Sequence, residues 1–254
     1  MDQVTRASGR PVDPHARWVR VIHWLAAASV LTLACSGFAI LMVHPRLYWG
    51  QVGNDLTPPL LELPISRNHQ HGGWTAPQPF FARGPDGPVT ASRTYDIFNQ
   101  NGWARSLHFL AAWWLVLPGV VYLLAGLGSG HFRAHLWPRA GDLGPRQVWQ
   151  DVTAHLRFRI PPAVGGPDYG VLQKCAYTAV VFIVAPLMVL TGLAMSPAVT
   201  AAYPVLLQVS GGYQSARTVH FFSSLALVLF VLAHVVMVVA SGFTRQIRGM
   251  TVGR

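Results

Sequence analysis

Residues 217–234 read RTVHFFSSLALVLFVLAH, placing two imidazoles, His220 and His234, in a stretch otherwise built for hydrocarbon. Fourteen residues are close to four helical turns, so the two rings share a helix face and lie roughly 21 Å apart along it. Imidazole serves as general base, proton relay or metal ligand. Inside an apolar segment such a ring is costly and reads as functional. The same setting recurs at Arg20-Val-Ile-His23, Arg105-Ser-Leu-His108 and Arg217-Thr-Val-His220, each at the entrance of an apolar run. At i, i+3 both side chains share a helix face, the Arg reaching for the interface and the His lying about one turn deeper.

The elements that must position these rings follow from composition. Charged residues make up 11% of the 254 and hydrophobic ones 52%, a balance shifted well away from that of soluble domains. The apolar residues gather in four runs, Trp18–Val43, Leu107–Leu127, Ala176–Met195 and Val219–Ser241. A run of about twenty apolar residues spans a bilayer as a helix. The expected fold is all-α, a polytopic membrane four-helix bundle forming a single domain over residues 1–254. Its spans fall at about 18–43, 104–127, 173–195 and 216–241, with an outer loop 44–103 and a cytoplasmic loop 128–172. Pro118 and Pro186 lie inside spans, where neighbouring helices absorb the kink. Pro145–Phe158 is expected to form a short interfacial helix, with Trp149, Val152 and Leu156 on one side.

The net charge of +10 is topological. With the N-terminus inside, thirteen of the nineteen basic residues fall in cytoplasmic segments and six, Arg46, Arg67, Arg83, Arg93, Arg105 and Arg217, fall outside. That asymmetry follows the positive-inside rule and puts both termini in the cytoplasm of a multi-pass inner-membrane protein. It argues against nucleic acid as a partner. The first run is longer than the apolar core of a signal peptide, and no A-x-A site follows it. No P-loop, nucleotide-binding glycine motif, nucleophile elbow or paired catalytic carboxylates occur, and no catalytic residues are assigned. Cys35 and Cys175 form neither C-x-x-C nor C-x-x-C-H, so neither zinc nor covalent haem is indicated.

Direction then sorts the histidines by depth. The first span starts from the cytoplasm, so His23 lies near the inner face; the second and fourth start outside, so His108 and His220 lie near the outer face. His234, at the far end of the fourth span, returns to the inner one. The pairs are His23 with His234 and His108 with His220. Two neutral imidazoles facing each other across a bundle are the ligand set of six-coordinate haem. Without a C-x-x-C-H both haems are expected to be non-covalent b-type, with His23 and His234 on the inner iron and His108 and His220 on the outer. Arg20, Arg105 and Arg217 are candidates to pair the propionates. Gly37, fourteen residues after His23, lies at the outer haem's depth, where a side chain would meet the macrocycle. A single membrane histidine is as readily explained as helix–helix glue; four at matched depths are not. His44 reads as interfacial, His69 and His71 as loop residues, and His15, His131, His135 and His155 as solvated or lipid-facing.

At these residues the chain resembles the four-helix di-haem cytochrome b family, which supplies membrane subunits to formate dehydrogenases, nickel–iron hydrogenases and thiosulfate reductases. The likeness is closest to the thiosulfate-reductase type. It is carried by His44-Pro-Arg-Leu-Tyr-Trp-Gly50, Ser129-Gly-His-Phe-Arg133, Thr191-Gly-Leu-Ala-Met-Ser-Pro197 and Ser215-Ala-Arg-Thr-Val-His220. The resemblance implies electron transfer between membrane quinone and a redox partner, a periplasmic molybdopterin-type oxidoreductase, in some systems through an iron–sulfur subunit. It maps the family's ligands onto His23, His108, His220 and His234. The long 44–103 segment departs from the formate dehydrogenase pattern. The chain is thus expected to be an electron-transfer subunit of an oxidoreductase complex rather than a complete enzyme.

Two other functions remain open at this stage. One is a stand-alone quinone-linked di-haem oxidoreductase acting on a small oxidant such as superoxide; the other is a proton relay using bare histidines. The near-balanced charge of 44–103 favours a docking cap over a funnel for a small anion. A protein red with haem would exclude the proton relay.

Overall fold

The computed structural model describes residues 17–54, 57–65, 101–138, 140–156 and 170–253. His15, His69, His71 and most of the outer loop lie outside them. Four helices are long and apolar enough to cross a membrane: Arg17–Val43, Gly102–Gly128, Val171–Ala194 and Tyr213–Ala240. The mostly helical, polytopic bundle expected from the sequence is the architecture found. Between 6% and 17% of each apolar window is buried within the chain, so most apolar side chains are left facing outward. In a bilayer that surface meets lipid, while the helices satisfy their own backbone.

The first span is α1 (Arg17–Val43) and the second α2 (Asn101–Gly128), with Pro118 inside it. A two-residue antiparallel ladder, β1 (Arg46–Leu47) with β2 (Leu61–Glu62), lies between them. After α2 a π-helical turn, Phe132–Leu136, leads to α3 (Pro145–Leu156), the short amphipathic helix expected in the cytoplasmic loop. The third span is not one regular helix. It runs as α4 (Val171–Ala179), a π-helical turn at Val180–Val184, then α5 (Ala185–Ala194). Pro186 stands at the start of α5. Its ring cannot donate an N–H and would crowd the carbonyl four residues back, and the wider turn before it relieves both demands. Two short helices, α6 (Pro197–Ala202) and α7 (Val205–Val209), precede the fourth span α8 (Tyr213–Ala240); α9 (Phe243–Thr251) follows it.

The chain divides into two compact units, and each long helix contributes to both. One unit holds α1 up to Trp24, Val121–Thr178 and the chain from Phe230 onward. Within it the Asp151 carboxylate accepts from the Leu172 N–H at 2.8 Å, capping α4, and pairs with His155 at 3.2 Å. Trp24 Nε1 donates to the Met250 carbonyl at 3.0 Å, tying α9 to α1. The Phe132 ring fills the space that Gly126 leaves; a Cβ there would lie 2.3 Å from it.

The other unit holds Leu25–Val120 and Ala179–Leu229. At its centre the chain after α1 closes over the start of α8. The Gly50 carbonyl accepts from the N–H groups of Gln214 at 3.0 Å and Ser215 at 3.2 Å, and Gln51 Oε1 accepts from Tyr213 N–H at 3.0 Å. In return Ser215 Oγ accepts from Gly50 N–H at 2.7 Å, and the Thr218 hydroxyl donates to the Tyr48 carbonyl at 2.6 Å. The close approach requires glycine: Gly212 has φ +104°, and a Cβ on it would lie 2.6 Å from the Gly50 oxygen. Arg46 Nε pairs with Glu62 Oε1 at 3.0 Å, with the two side chains 2% and 7% exposed, and so locks β1 to β2. Removing one partner of a buried pair strands the other charge and costs about 3–5 kcal/mol. Arg46→Ala is therefore expected to lower the thermal unfolding midpoint of the detergent-purified protein clearly; an unchanged midpoint would deny the pair its structural role.

Candidate functional site

The candidate ligands are brought together in two pairs, one in each unit. In the unit around the start of α8, the rings of His108 on α2 and His220 on α8 have centroids 6.3 Å apart and planes inclined at 60°. In the other unit, His23 on α1 and His234 on α8 also lie 6.3 Å apart, inclined at 57°. Two metal–nitrogen bonds of about 2 Å set in line, with about 1 Å from each nitrogen to its ring centre, separate axial imidazoles by about 6 Å. Both pairs match that separation, so the residues present fit a six-coordinate iron. Imidazole pairs held apart in this way are too distant to hydrogen-bond directly.

The surroundings of the His108–His220 pair were only partly legible in the sequence. Ser36 Oγ lies 3.0 Å from His108 Nδ1, and Thr191 Oγ1 lies 3.0 Å from His220 Nδ1. Each hydroxyl is followed by a glycine against the same ring. A Cβ on Gly37 would sit 3.4 Å from His108 Cε1, and one on Gly192 would sit 3.6 Å from His220 Cε1. Gly37 was expected to clear room for a macrocycle; the nearest side chain to it is the His108 imidazole. The hydroxyl–glycine doublet is the signal that would have found Ser36, Thr191 and Gly192, and Thr191-Gly192 stands in one of the strings that carried the family resemblance.

Around the other pair the neighbours are aromatic. Phe230, one turn before His234 on α8, stacks on it at 6.1 Å and 19°, and Tyr177 of α4 meets its edge at 6.5 Å. Trp24 packs edge-on against His23 at 5.3 Å. Trp18, Tyr122 and His131 form a separate aromatic group, with centroids 5.7–6.2 Å apart. His44 stacks on Tyr48 at 5.8 Å. No cluster of three or more His, Cys, Asp or Glu that could hold a metal ion alone occurs among the described residues.

The three arginines of the repeated pattern have three different settings. Arg20 is buried, 9% exposed. Arg105 is exposed. Arg217 donates to the Arg46 carbonyl at 2.8 Å and to the His44 carbonyl, clamping the end of α1 to the first turns of α8. Its guanidinium thus has a structural task, whatever else it meets.

The family described as prokaryotic cytochrome b561 matches residues 15–253. The chain is also 30% identical over 226 residues to an Azospira oryzae protein named "Putative protein-methionine-sulfoxide reductase subunit YedZ1", covering 88% of this chain and 89% of that one. No solved structure matches. The Arg217 geometry carries its own test. Arg217→Ala removes the donor to the His44 and Arg46 carbonyls just after α1, at a cost of about 1.5–3 kcal/mol for a hydrogen bond from a charged group. It should lower the thermal midpoint in detergent, and Arg217→Lys, which lacks the forked donors, should recover only part of the loss.

Proposed function

Since the chain belongs to the prokaryotic cytochrome b561 family, we propose that it binds two b-type haems and passes electrons between membrane quinone and a periplasmic oxidoreductase. Haem b binding and a multi-pass membrane subunit follow from the family itself. The observation that carries the count of two is the pair of equal 6.3 Å imidazole separations, each in its own unit. His23 and His234 would hold one haem and His108 and His220 the other. Bound haem supplies a one-electron carrier.

The remaining work falls to the chain's own side chains. The four imidazoles would present nitrogen lone pairs from α1, α2 and α8. Gly37 and Gly192 lie directly against the His108 and His220 rings, and Gly37 is proposed to leave room for the outer macrocycle. Arg20 and Arg105 are the arginines proposed to meet propionates; Arg217 is proposed for the same role beside its clamp on the His44 and Arg46 carbonyls. The absence of acidic residues from the four apolar windows keeps unpaired carboxylates away from the rings. The name of the Azospira oryzae relative supports a reductase as the partner. We take that partner to be a molybdopterin-type enzyme outside the inner membrane, reducing an oxidised sulfur centre, with quinol as the electron source.

The test is a dithionite-reduced minus oxidised spectrum of the detergent-purified protein, with haem quantified per chain. Two b-type haems are expected, with one remaining in His23→Ala or His234→Ala and the other remaining in His108→Ala or His220→Ala. Folded protein without colour would end this reading.

A further inference from the structure

The hydroxyls of Ser36 and Thr191 have one proton each, and the nearest acceptor for it is a backbone carbonyl. Ser36 Oγ lies 2.7 Å from the Thr32 carbonyl, and Thr191 Oγ1 lies 2.7 Å from the Leu187 carbonyl, each four residues back. The next carbonyls, of Leu33 at 3.3 Å and Met188 at 3.2 Å, are farther. With its proton donated to the backbone, each oxygen meets the imidazole Nδ1 at 3.0 Å only as an acceptor. Nδ1 must then carry the ring's hydrogen, which leaves the lone pair on Nε2.

Both hydroxyls are buried. Ser36 is 1% exposed and Thr191 4% exposed, so each hydroxyl is closed off from water, and the backbone at Leu33 and Met188 is the other partner of the two rings. The glycine after each hydroxyl lies against the same ring, where a Cβ would sit in ordinary van der Waals contact at 3.4–3.6 Å. Two different spans, α1 and α5, thus supply the same device to two rings facing each other at 6.3 Å.

We propose that Ser36 and Thr191 are positioning residues that fix the Nε2-ligating tautomer of His108 and His220 and tune the outer haem's potential. The inference rests on the haem reading above. A hydrogen bond accepted from Nδ1–H raises the basicity of the ligating nitrogen, and a more basic ligand favours ferric over ferrous iron. A hydroxyl already polarised by its own donation to a carbonyl is a stronger acceptor than an isolated one. Removing either acceptor should move the outer haem's potential upward and leave the inner one in place.

The experiment uses the full-length, detergent-purified protein, with haem quantified, both potentials titrated and the ferric low-spin signals recorded by EPR. Thr191→Val keeps the shape and removes the acceptor; Thr191→Ser keeps the acceptor; Ser36→Ala tests the opposite ring. Each loss is expected to weaken the ferric preference about tenfold, an upward shift of about 59 mV for one electron. One potential alone should move, Ser36→Ala with Thr191→Val should move the same one further, and Thr191→Ser should stay at the wild-type value. Unchanged potentials and EPR signals in Thr191→Val and Ser36→Ala at full haem content would overturn the proposal. So would Thr191→Ser shifting as far as Thr191→Val. If Thr191→Val lost haem outright, retention in Thr191→Ser would support the hydroxyl's role and equal loss would refute it. Wild-type protein lacking haem would instead remove the functional reading on which the inference stands.

Discussion

The first turn of α8 imposes the constraint on which its unit of the bundle depends. A helix that starts at a membrane face leaves its first N–H groups without partners inside the helix, and burial makes each such group expensive. Here the backbone of another segment answers them: Gly50 C=O takes the N–H groups of Gln214 and Ser215, and Gln51 takes that of Tyr213. That choice fixes where α8 begins, and hence the depth of His220, seven residues into it. It also explains why the 44–50 string and the 215–220 string belong together. They are two sides of one joint, closed by Thr218 on Tyr48, Ser215 on Gly50 and Arg217 on His44 and Arg46.

The same rule governs the hydroxyls within the spans. A serine or threonine inside an apolar helix returns its proton to the carbonyl three or four residues back. For Thr32, whose oxygen lies 2.9 Å from the Ala28 carbonyl, that is all the described contacts show. Ser36 and Thr191 do the same and also lie within hydrogen-bond distance of an imidazole Nδ1 on a neighbouring helix, which in the proposed tautomer donates to the oxygen's free lone pair. Satisfying the backbone and orienting a ligand are therefore one interaction rather than two competing ones. Such a device adds no charge to the site, unlike a carboxylate acceptor, so it carries no desolvation cost of an ion.

Much of this was legible in the sequence because hydrophobic runs and helical spacing are long-range, redundant signals. Four runs of about twenty residues can hardly be anything but spans, and the depth of a histidine follows from its place in a run. The helix at Pro145–Leu156 was also visible, since its apolar residues recur at helical spacing. The joint at 44–62 was not. Its strands are two residues long, too short to show alternation, and its hydrogen bonds link residues some 165 positions apart. The π-helical turn before Pro186 was invisible for a related reason: a proline in a span signals a disturbance, and neighbouring packing decides its form. Ser36 and Thr191 went unnoticed because a hydroxyl in an apolar helix ordinarily needs no partner beyond its own backbone.

The repeated Arg-x-x-His pattern shows how far local spacing can be trusted. Spacing at i, i+3 determines that the two side chains share a face, while the depth of each histidine in its run pairs His23 with His234 and His108 with His220, whose rings lie close together. It says nothing about what the guanidinium meets, because a long side chain at a helix entrance can reach lipid, loop or cofactor alike. Arg105 stands exposed, Arg20 is enclosed, and Arg217 is drawn into the joint because the end of α1 offers it two carbonyls. The short, stiff imidazole is placed by the helix alone. The long, flexible guanidinium is placed by whatever the loops bring to it, so the histidine positions are readable from helical spacing while the partners of the arginines are readable only from the assembled chain.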